Sequence, residues 1–169
     1  YDNARLRSKL MFSDKCAIYL TQKPYNLVMW SNQNPHFHEQ VKQFPPKLMI
    51  WAAMSESALI GPFFIEDSEN ADRYQQLLRE EFIPELERRG LLYSCHYQQD
   101  GAPCHTALTT RHFLDIHFPG RWVGKFGPTP WPPRSPDLTS CDNALWGIIK
   151  RRVSQEKPAS VAELRAAVT

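Results

Sequence analysis

The chain has 169 residues and a formal net charge of +2 at pH 7, so it is long enough for one domain with its own core. Its hydrophobic content of 42% and aromatic content of 12% are typical of a globular protein and exclude a disordered one. The small positive charge permits a nucleic-acid partner but does not require one. No apolar run reaches the roughly 18–20 residues of a membrane span, and no signal peptide is visible.

The chain's four cysteines indicate neither a zinc site nor a disulfide framework. None of them forms a C-x-x-C pair, which is the usual spacing of a structural zinc site, and a domain of this size needs no disulfides. We interpret them as reduced thiols that fill small apolar spaces. They are Cys16, Cys95, Cys104 and Cys141.

The first part of the chain has the pattern of a sheet with a hairpin. Residues 9–21 alternate between the two faces of a strand, and a second short strand is predicted at 26–32. Strands at 47–54 and 58–66 flank a short polar turn, which favours a hairpin. One face of the first strand carries Leu10, Phe12, Asp14, Cys16, Ile18 and Leu20.

A helix is predicted next, at 70–90, with Asn70 as its N-cap and Gly90 at its end. Pro84 should interrupt the later half of this helix. The remaining elements are a strand at 91–100, a helix at 106–118, a short strand at 121–126, a rigid proline-rich crossing at 127–138, and a helix at 139–154 capped by Thr139 or Ser140. This order predicts an α/β fold in which helices flank a central mixed sheet.

Asp14 stands out because the other side chains on its strand face are apolar. An ionised carboxylate there costs several kcal/mol unless it is paired or bound to a metal. The alternatives are a strand that ends earlier, which would expose Asp14, or a local partner such as Lys15. Lys15, however, points to the opposite face of a regular strand.

Asp100 is predicted at the end of a second strand, where Gly101 allows a sharp turn and Pro103 fixes the exit. Its alternative interpretation is an ordinary turn carboxylate. His105 either caps the next helix or reaches the same site as Asp100.

Asp142 lies in the first turn of the last predicted helix. It could simply complement the helix dipole there, in a capping box with Thr139. Asp142 shares a helix face, however, with Trp146 and Ile149, and burying that face against the sheet would aim its carboxylate at the strands. Asp137 follows a proline and has no helix to aim it, so a surface turn is predicted there.

Two aspartates from strands and one from a packed helix form an all-oxygen set, which suits Mg²⁺ or Mn²⁺. Two such ions can support phosphoryl transfer by in-line displacement. No Walker loop is present, so nucleotide hydrolysis through such a loop is not expected. Lys150, Arg151 and Arg152 lie elsewhere around the last helix, where solvation is the default interpretation and phosphate contact the functional one.

Three segments carry motifs that are weak alone and specific together. They are FSDK at 12–15, QQDGAPCHTA at 98–107 and WPPRSPDLTSCDNALWGIIKRRV at 131–153. Their combination resembles the catalytic domain of mariner/Tc1-type DNA transposases over nearly the whole chain. The resemblance implies a ribonuclease-H-like fold and a catalytic, metal-binding triad of Asp14, Asp100 and Asp142.

The same resemblance implies an activity and partners. It implies metal-dependent DNA cleavage at transposon ends and strand transfer by the freed 3′-hydroxyl, with Mg²⁺ or Mn²⁺ as cofactor and two ions per site. Its partners would be double-stranded DNA, as terminal inverted repeats and target, and a second copy in a homodimer of the full-length protein. It implies a nuclear location, with no membrane and no nucleotide cofactor. Family members carry helix-turn-helix domains before this one, so 1–169 is interpreted as a single catalytic domain from a longer protein.

Departures from the family pattern leave other functions open. Lys15 stands where glutamate is usual, Thr139 and Ser140 replace Asn-Pro, and the spacing across 101–141 is wide. None of these changes removes a predicted ligand. The alternative function is a domesticated or decayed copy that binds DNA or protein without cutting. A third is an unrelated metal-dependent nuclease of the same fold, against which the SPDL motif argues.

Overall fold

The computed structural model describes residues 8–20, 32, 45–65, 70–132 and 135–169. The strands in these segments are β1 (Leu10–Tyr19), β2 (Lys47–Met54), β3 (Leu59–Ile65), β4 (His96–Gln98), β5 (Trp122–Gly124) and β6 (Thr129–Pro130). They form one mixed sheet in the order β3-β2-β1-β4-β5-β6. β1, β2 and β3 pair in antiparallel fashion, whereas β4 is parallel to β1 and the pairing stays parallel through β5 to β6.

Helices cover both faces of this sheet. They are α1 (Ala71–Leu77), α2 (Ile83–Arg88), α3 (Pro103–Thr106), α4 (Leu108–His117), α5 (Trp146–Glu156) and α6 (Val161–Val168). Wider π turns lead into two of them, at Leu78–Phe82 before α2 and at Cys141–Leu145 before α5. None of the described helices has the length and apolar character that a membrane crossing requires.

The alternation of side chains along β1 builds two cores. Met11 lies with Trp51 and the apolar faces of α1, α2 and α4 on one side of the sheet. Ile18 packs with Ile50, α5 and α6 on the other side. Each large buried apolar side chain stabilises the fold by about 1.5–3 kcal/mol, and a shift of one residue would exchange the two faces. The register is thereby fixed, and Asp14 faces the α5 side.

Several sequence predictions are confirmed. The first strand, the hairpin and the short strand that became β5 all form. The side chain of Asn70 caps α1 by accepting a hydrogen bond from the Arg73 amide at 2.9 Å. The interruption expected at Pro84 takes the form of the π turn that directly precedes α2. Apart from residue 32, the strand predicted at 26–32 lies outside the described residues.

Other boundaries were wrong. The strand predicted at 91–100 spans only His96–Gln98, because the amides of Ser94 and Cys95 bond the Leu91 carbonyl in a local turn. The helix predicted at 106–118 begins earlier, because Pro103 suits a first helical position, and it breaks at Ala107, where ψ is 143°.

The end of the chain also differs in detail from the prediction. The crossing at 127–138 contains the short strand β6 and a 3₁₀ turn at Pro136–Leu138. The predicted side-chain cap of the last helix is wrong, because Ser140 already has helical dihedral angles and makes no capping bond. The backbone carbonyl of Thr139 accepts the Asn143 amide instead, at 3.1 Å.

Candidate metal centre

The parallel pairing of β1 with β4 brings two predicted aspartates to one place. Phe12 is opposite Gln98 in the last pair of this ladder, and Asp14 and Asp100 each lie two residues beyond it. Asp142 joins them from the π turn that leads into α5. All three aspartates line one cleft of about 370 Å³.

Asp14 is half-buried within β1, so the strand does not end before it. The indole Nε1 of Trp146 donates a hydrogen bond of 2.6 Å to its Oδ2 atom. Burial raises the pKa of Asp14 to about 6, against the lowering effect of that hydrogen bond, and the charges of Asp142 and Asp100 raise it further. Asp14 is therefore a carboxylate whose ionised form is destabilised unless a positive charge is near.

Asp100 is held by two donors on a single oxygen. Its Oδ1 atom accepts hydrogen bonds from the Ala102 amide at 2.9 Å and from Nδ1 of His105. Burial alone would raise the pKa of Asp100, but the bond and charge of His105 hold it below its usual range. Burial opposes protonation of His105, yet its bond to Asp100 raises the His105 pKa to about 9. His105 thus reaches the site as a donor and leaves the second oxygen of Asp100 for another ligand.

A chain of buried hydrogen bonds fixes the segment that carries Asp100. Ser13 Oγ bonds the hydroxyl of Tyr97 at 2.8 Å, and the Tyr97 and Tyr74 hydroxyls are 2.6 Å apart. Tyr74 donates to Gln99 Oε1 at 2.9 Å, and Gln99 Nε2 donates to the His105 carbonyl at 2.9 Å. Each of these polar groups is satisfied within the core, so β1 and the turn after β4 are held together as one rigid unit.

Asp142 lines the same cleft as Asp14 and does not act only as a helix cap. Each of the two carboxyl groups affects the pKa of the other, and two ionised carboxylates so placed repel each other unless a proton or a cation lies between them. Burial raises the pKa of Asp142 and the charge of Asp100 adds to this, whereas Lys150 lowers it.

The donor set fits a hard divalent cation held by pairs of carboxylates. Within the described residues, no three aspartate, glutamate, histidine or cysteine side chains come close enough to hold one ion together. Mg²⁺ commonly binds protein through one or two carboxylates and completes its shell with water or substrate phosphate. Asp14 and Asp142, which line the same cleft, and the free oxygen of Asp100 meet that requirement.

Lys125 is a cleft residue that the sequence analysis missed. It lines the cleft from the turn directly after β5, next to Gly101. Its position at the end of a predicted strand could have identified it, because the ends of neighbouring parallel strands meet at one edge of a sheet. Trp131 forms an aromatic wall of the same cleft and contacts Phe12, with ring centroids 6.2 Å apart.

The three basic residues predicted as possible DNA contacts are placed differently from one another. Lys150 lies close enough to the cleft for its charge to lower the pKa values of Asp142 and Cys16. Arg151 is exposed, and Arg152 forms an exposed ion pair of 2.8 Å with Glu156. Of the three, Lys150 is the one whose charge acts on a cleft carboxylate.

Asp137, the competing carboxylate, lies in the exposed 3₁₀ turn before the last helix. Its backbone carbonyl accepts a hydrogen bond of 2.6 Å from Asn143 Nδ2. The residues that line the cleft include Asp142 and do not include Asp137.

A mixed sheet in this strand order, with helices on both faces, defines a ribonuclease-H-like domain. No family model matches the chain. In sequence, it is 30% identical over 123 residues to the Transposable element Tc3 transposase of Caenorhabditis elegans, which covers 72% of this chain and 35% of that protein. The chain thus spans about a third of the length of this curated relative.

Solved structures of Mos1 transposase share the fold. The paired-end complex with the left transposon end matches with a TM-score of 0.74 and 22% identity, covering 95% of this chain and 46% of that one. The crystal structure of the catalytic domain of Mos1 mariner transposase matches with a TM-score of 0.66 and 20% identity, covering 94% and 67%. The resemblance to the catalytic domain of mariner/Tc1-type transposases is therefore confirmed.

Proposed function

We propose that the chain is the catalytic domain of a DNA transposase that cuts DNA at transposon ends and joins the freed 3′-hydroxyl to target DNA. The observation that carries this proposal is the single cleft lined by Asp14, Asp100 and Asp142, which come from three separate elements. The sequence similarity to the Tc3 transposase supports the same activity.

The proposed cofactor is Mg²⁺ or Mn²⁺, with two ions per site. Mos1 paired-end complexes contain Mn in one case and Mg in another, and the carboxylates here suit the same ions. Bound divalent ions would activate the attacking oxygen and stabilise the leaving oxygen of a phosphodiester. The three aspartates would hold them, while Trp146 and His105 orient two of these carboxylates through hydrogen bonds.

The proposed partner is double-stranded DNA, as terminal inverted repeats and as target. Lys125 and Lys150 place positive charge beside the carboxylates, where a phosphate backbone would otherwise be repelled. A homodimer and a nuclear location belong to the proposal for the whole protein, and the paired-end complex of Mos1 supports the first of these.

DNA nicking by the full-length protein tests this function. With Mn²⁺ or Mg²⁺, supercoiled plasmid that carries the element's ends is expected to become nicked, and EDTA or Asp100→Asn should prevent this. Wild-type protein that is folded and binds the plasmid, but does not nick it with either metal, would favour the decayed or domesticated alternative.

DNA binding by the isolated chain is expected to be weak, independent of sequence and steeply dependent on salt. Phosphate contacts release counterions and carry no base information. Lys125→Ala should lower the slope of log affinity against log salt by about one. Binding isotherms at several salt concentrations measure this slope.

Lys47→Ala is the control for that experiment, because Lys47 pairs with Tyr19, five residues beyond Asp14 along β1. The slope of log affinity against log salt for the Lys47→Ala variant should match that of the wild type. Strong selection of one sequence by the isolated chain at physiological salt would contradict the prediction.

A further inference from the structure

Phe126 is a large apolar side chain left in solvent next to the candidate metal centre. It lies in the turn after β5 and is 53% exposed. A single exposed apolar residue is common on protein surfaces and needs no function by itself. The surroundings of Phe126 are what distinguish it.

Two cations lie over the ring of Phe126. The guanidinium of Arg111, from α4, is 5.0 Å from the ring centroid, and the Lys125 ammonium is 5.2 Å from it. Exposure alone does not set Phe126 apart, because Tyr93 and Ile116 are more exposed. We call Arg111, Lys125 and Phe126 the cationic-aromatic patch.

The patch is continuous with the cleft, because Lys125 belongs to both. A ligand that contacts the patch and the cleft together must offer a flat apolar face for Phe126 and negative charge for the two cations. A nucleotide has both, since every base has a π-face and every linkage has a phosphate. Inside a duplex the base faces are covered by their neighbours, so away from the ends of a duplex only an unpaired base can present one.

We infer that the cationic-aromatic patch binds an unpaired nucleobase of a DNA strand whose phosphate backbone continues into the acidic cleft. The base stacks on Phe126 in place of the two cations that lie over the ring, and Arg111 and Lys125 contact the phosphates beside it. This holds the strand at a fixed distance from Asp14, Asp100 and Asp142. The continuation of the DNA strand into the acidic cleft rests on the proposed function, whereas the stacking of a base on Phe126 does not.

Fluorescence anisotropy in EDTA tests the stacking without any cleavage. The probes are one blunt duplex and the same duplex with a single-stranded overhang that contains 2-aminopurine. Wild-type protein is expected to bind the overhang more tightly than the blunt end and to quench the 2-aminopurine. Phe126→Ala should weaken overhang binding by about 5- to 150-fold, which is the usual contribution of one base stacked on an aromatic residue, and should abolish the quenching.

Two further variants make the result specific. Phe126→Trp should keep both the preference and the quenching, since it keeps an aromatic face. Ile116→Ala removes a more exposed apolar side chain from α4 and should change neither the preference nor the quenching. Circular dichroism of each variant checks the fold.

The inference is overturned if wild-type protein binds both probes equally, or if folded Phe126→Ala retains the overhang preference. Nicking without an overhang preference would remove this inference and leave the proposed function intact. An overhang preference that depends on Phe126, in a protein that never nicks DNA, would support the stacking and overturn the proposed function.

Discussion

Asp142→Asn is expected to lower the rate of metal-dependent DNA cleavage by at least about 100-fold, while the protein stays folded. Asp142 lines the cleft together with Asp14, and each carboxyl group affects the pKa of the other, so the substitution removes one member of a candidate ligand pair. Its carboxylate is repelled by its neighbours, so the neutral amide relieves repulsion and should cost little stability. The measurement is the cleavage rate at matched folded fraction.

Asp137→Asn is the matched control, only five residues away in sequence. Asp137 lies in an exposed turn outside the cleft lining, and its structural contact with Asn143 is made by its backbone carbonyl, which the substitution keeps. It should cleave at a rate close to that of the wild type. If the Asp137 variant is inactive and the Asp142 variant cuts, the third ligand has been assigned to the wrong residue.

Trp146→Phe is expected to weaken metal binding by about 10- to 100-fold, the usual cost of losing a hydrogen bond that orients a ligand. The substitution removes the indole N–H that holds Asp14 Oδ2 at 2.6 Å and keeps an aromatic ring in the core. Cleavage should fall at limiting metal and recover at high metal concentration, because the ligands themselves remain. Cleavage rate as a function of Mn²⁺ concentration measures the shift.

Trp122→Phe controls for the general cost of losing a buried indole. Trp122 is as buried as Trp146, and its Nε1 also donates to an aspartate, Asp115, at 2.8 Å. Asp115 is not a cleft residue. Both variants should lose about 1–2 kcal/mol of unfolding free energy, but only Trp146→Phe should change the metal dependence. Equal metal dependence in the two variants would refute a positioning role for Trp146.

Local patterns were sufficient to identify Asp14. Successive side chains of a strand point to opposite faces, so a carboxylate on an apolar face can be recognised without knowing the fold. The helix face shared by Asp142 and Trp146 was visible for a similar reason. The sheet arrangement followed from element order and resemblance, and the observed topology agrees with it.

What the sequence did not predict depends on contacts between distant residues. Trp146 was assigned only to the core, because its bond to Asp14 joins residues 132 positions apart. Lys125 becomes a cleft residue only when β5 is placed beside β4. Whether His105 caps a helix or reaches the site depends on where the turn after β4 places Asp100. The π turn at Cys141–Leu145 has no local signature comparable to a cap or a glycine stop.

Binding of Mn²⁺ or Mg²⁺ to the chain itself tests the central claim, that the cleft lined by the three aspartates binds divalent metal. A cation that binds the folded state raises stability by RT ln(1 + [L]/Kd), or about 1.4 kcal/mol at ten times Kd. We expect millimolar metal to raise the melting temperature of the wild type and of Asp137→Ala, and Asp14→Ala to lose the increase. A wild-type melting curve that stays unchanged across the metal titration would contradict the claim.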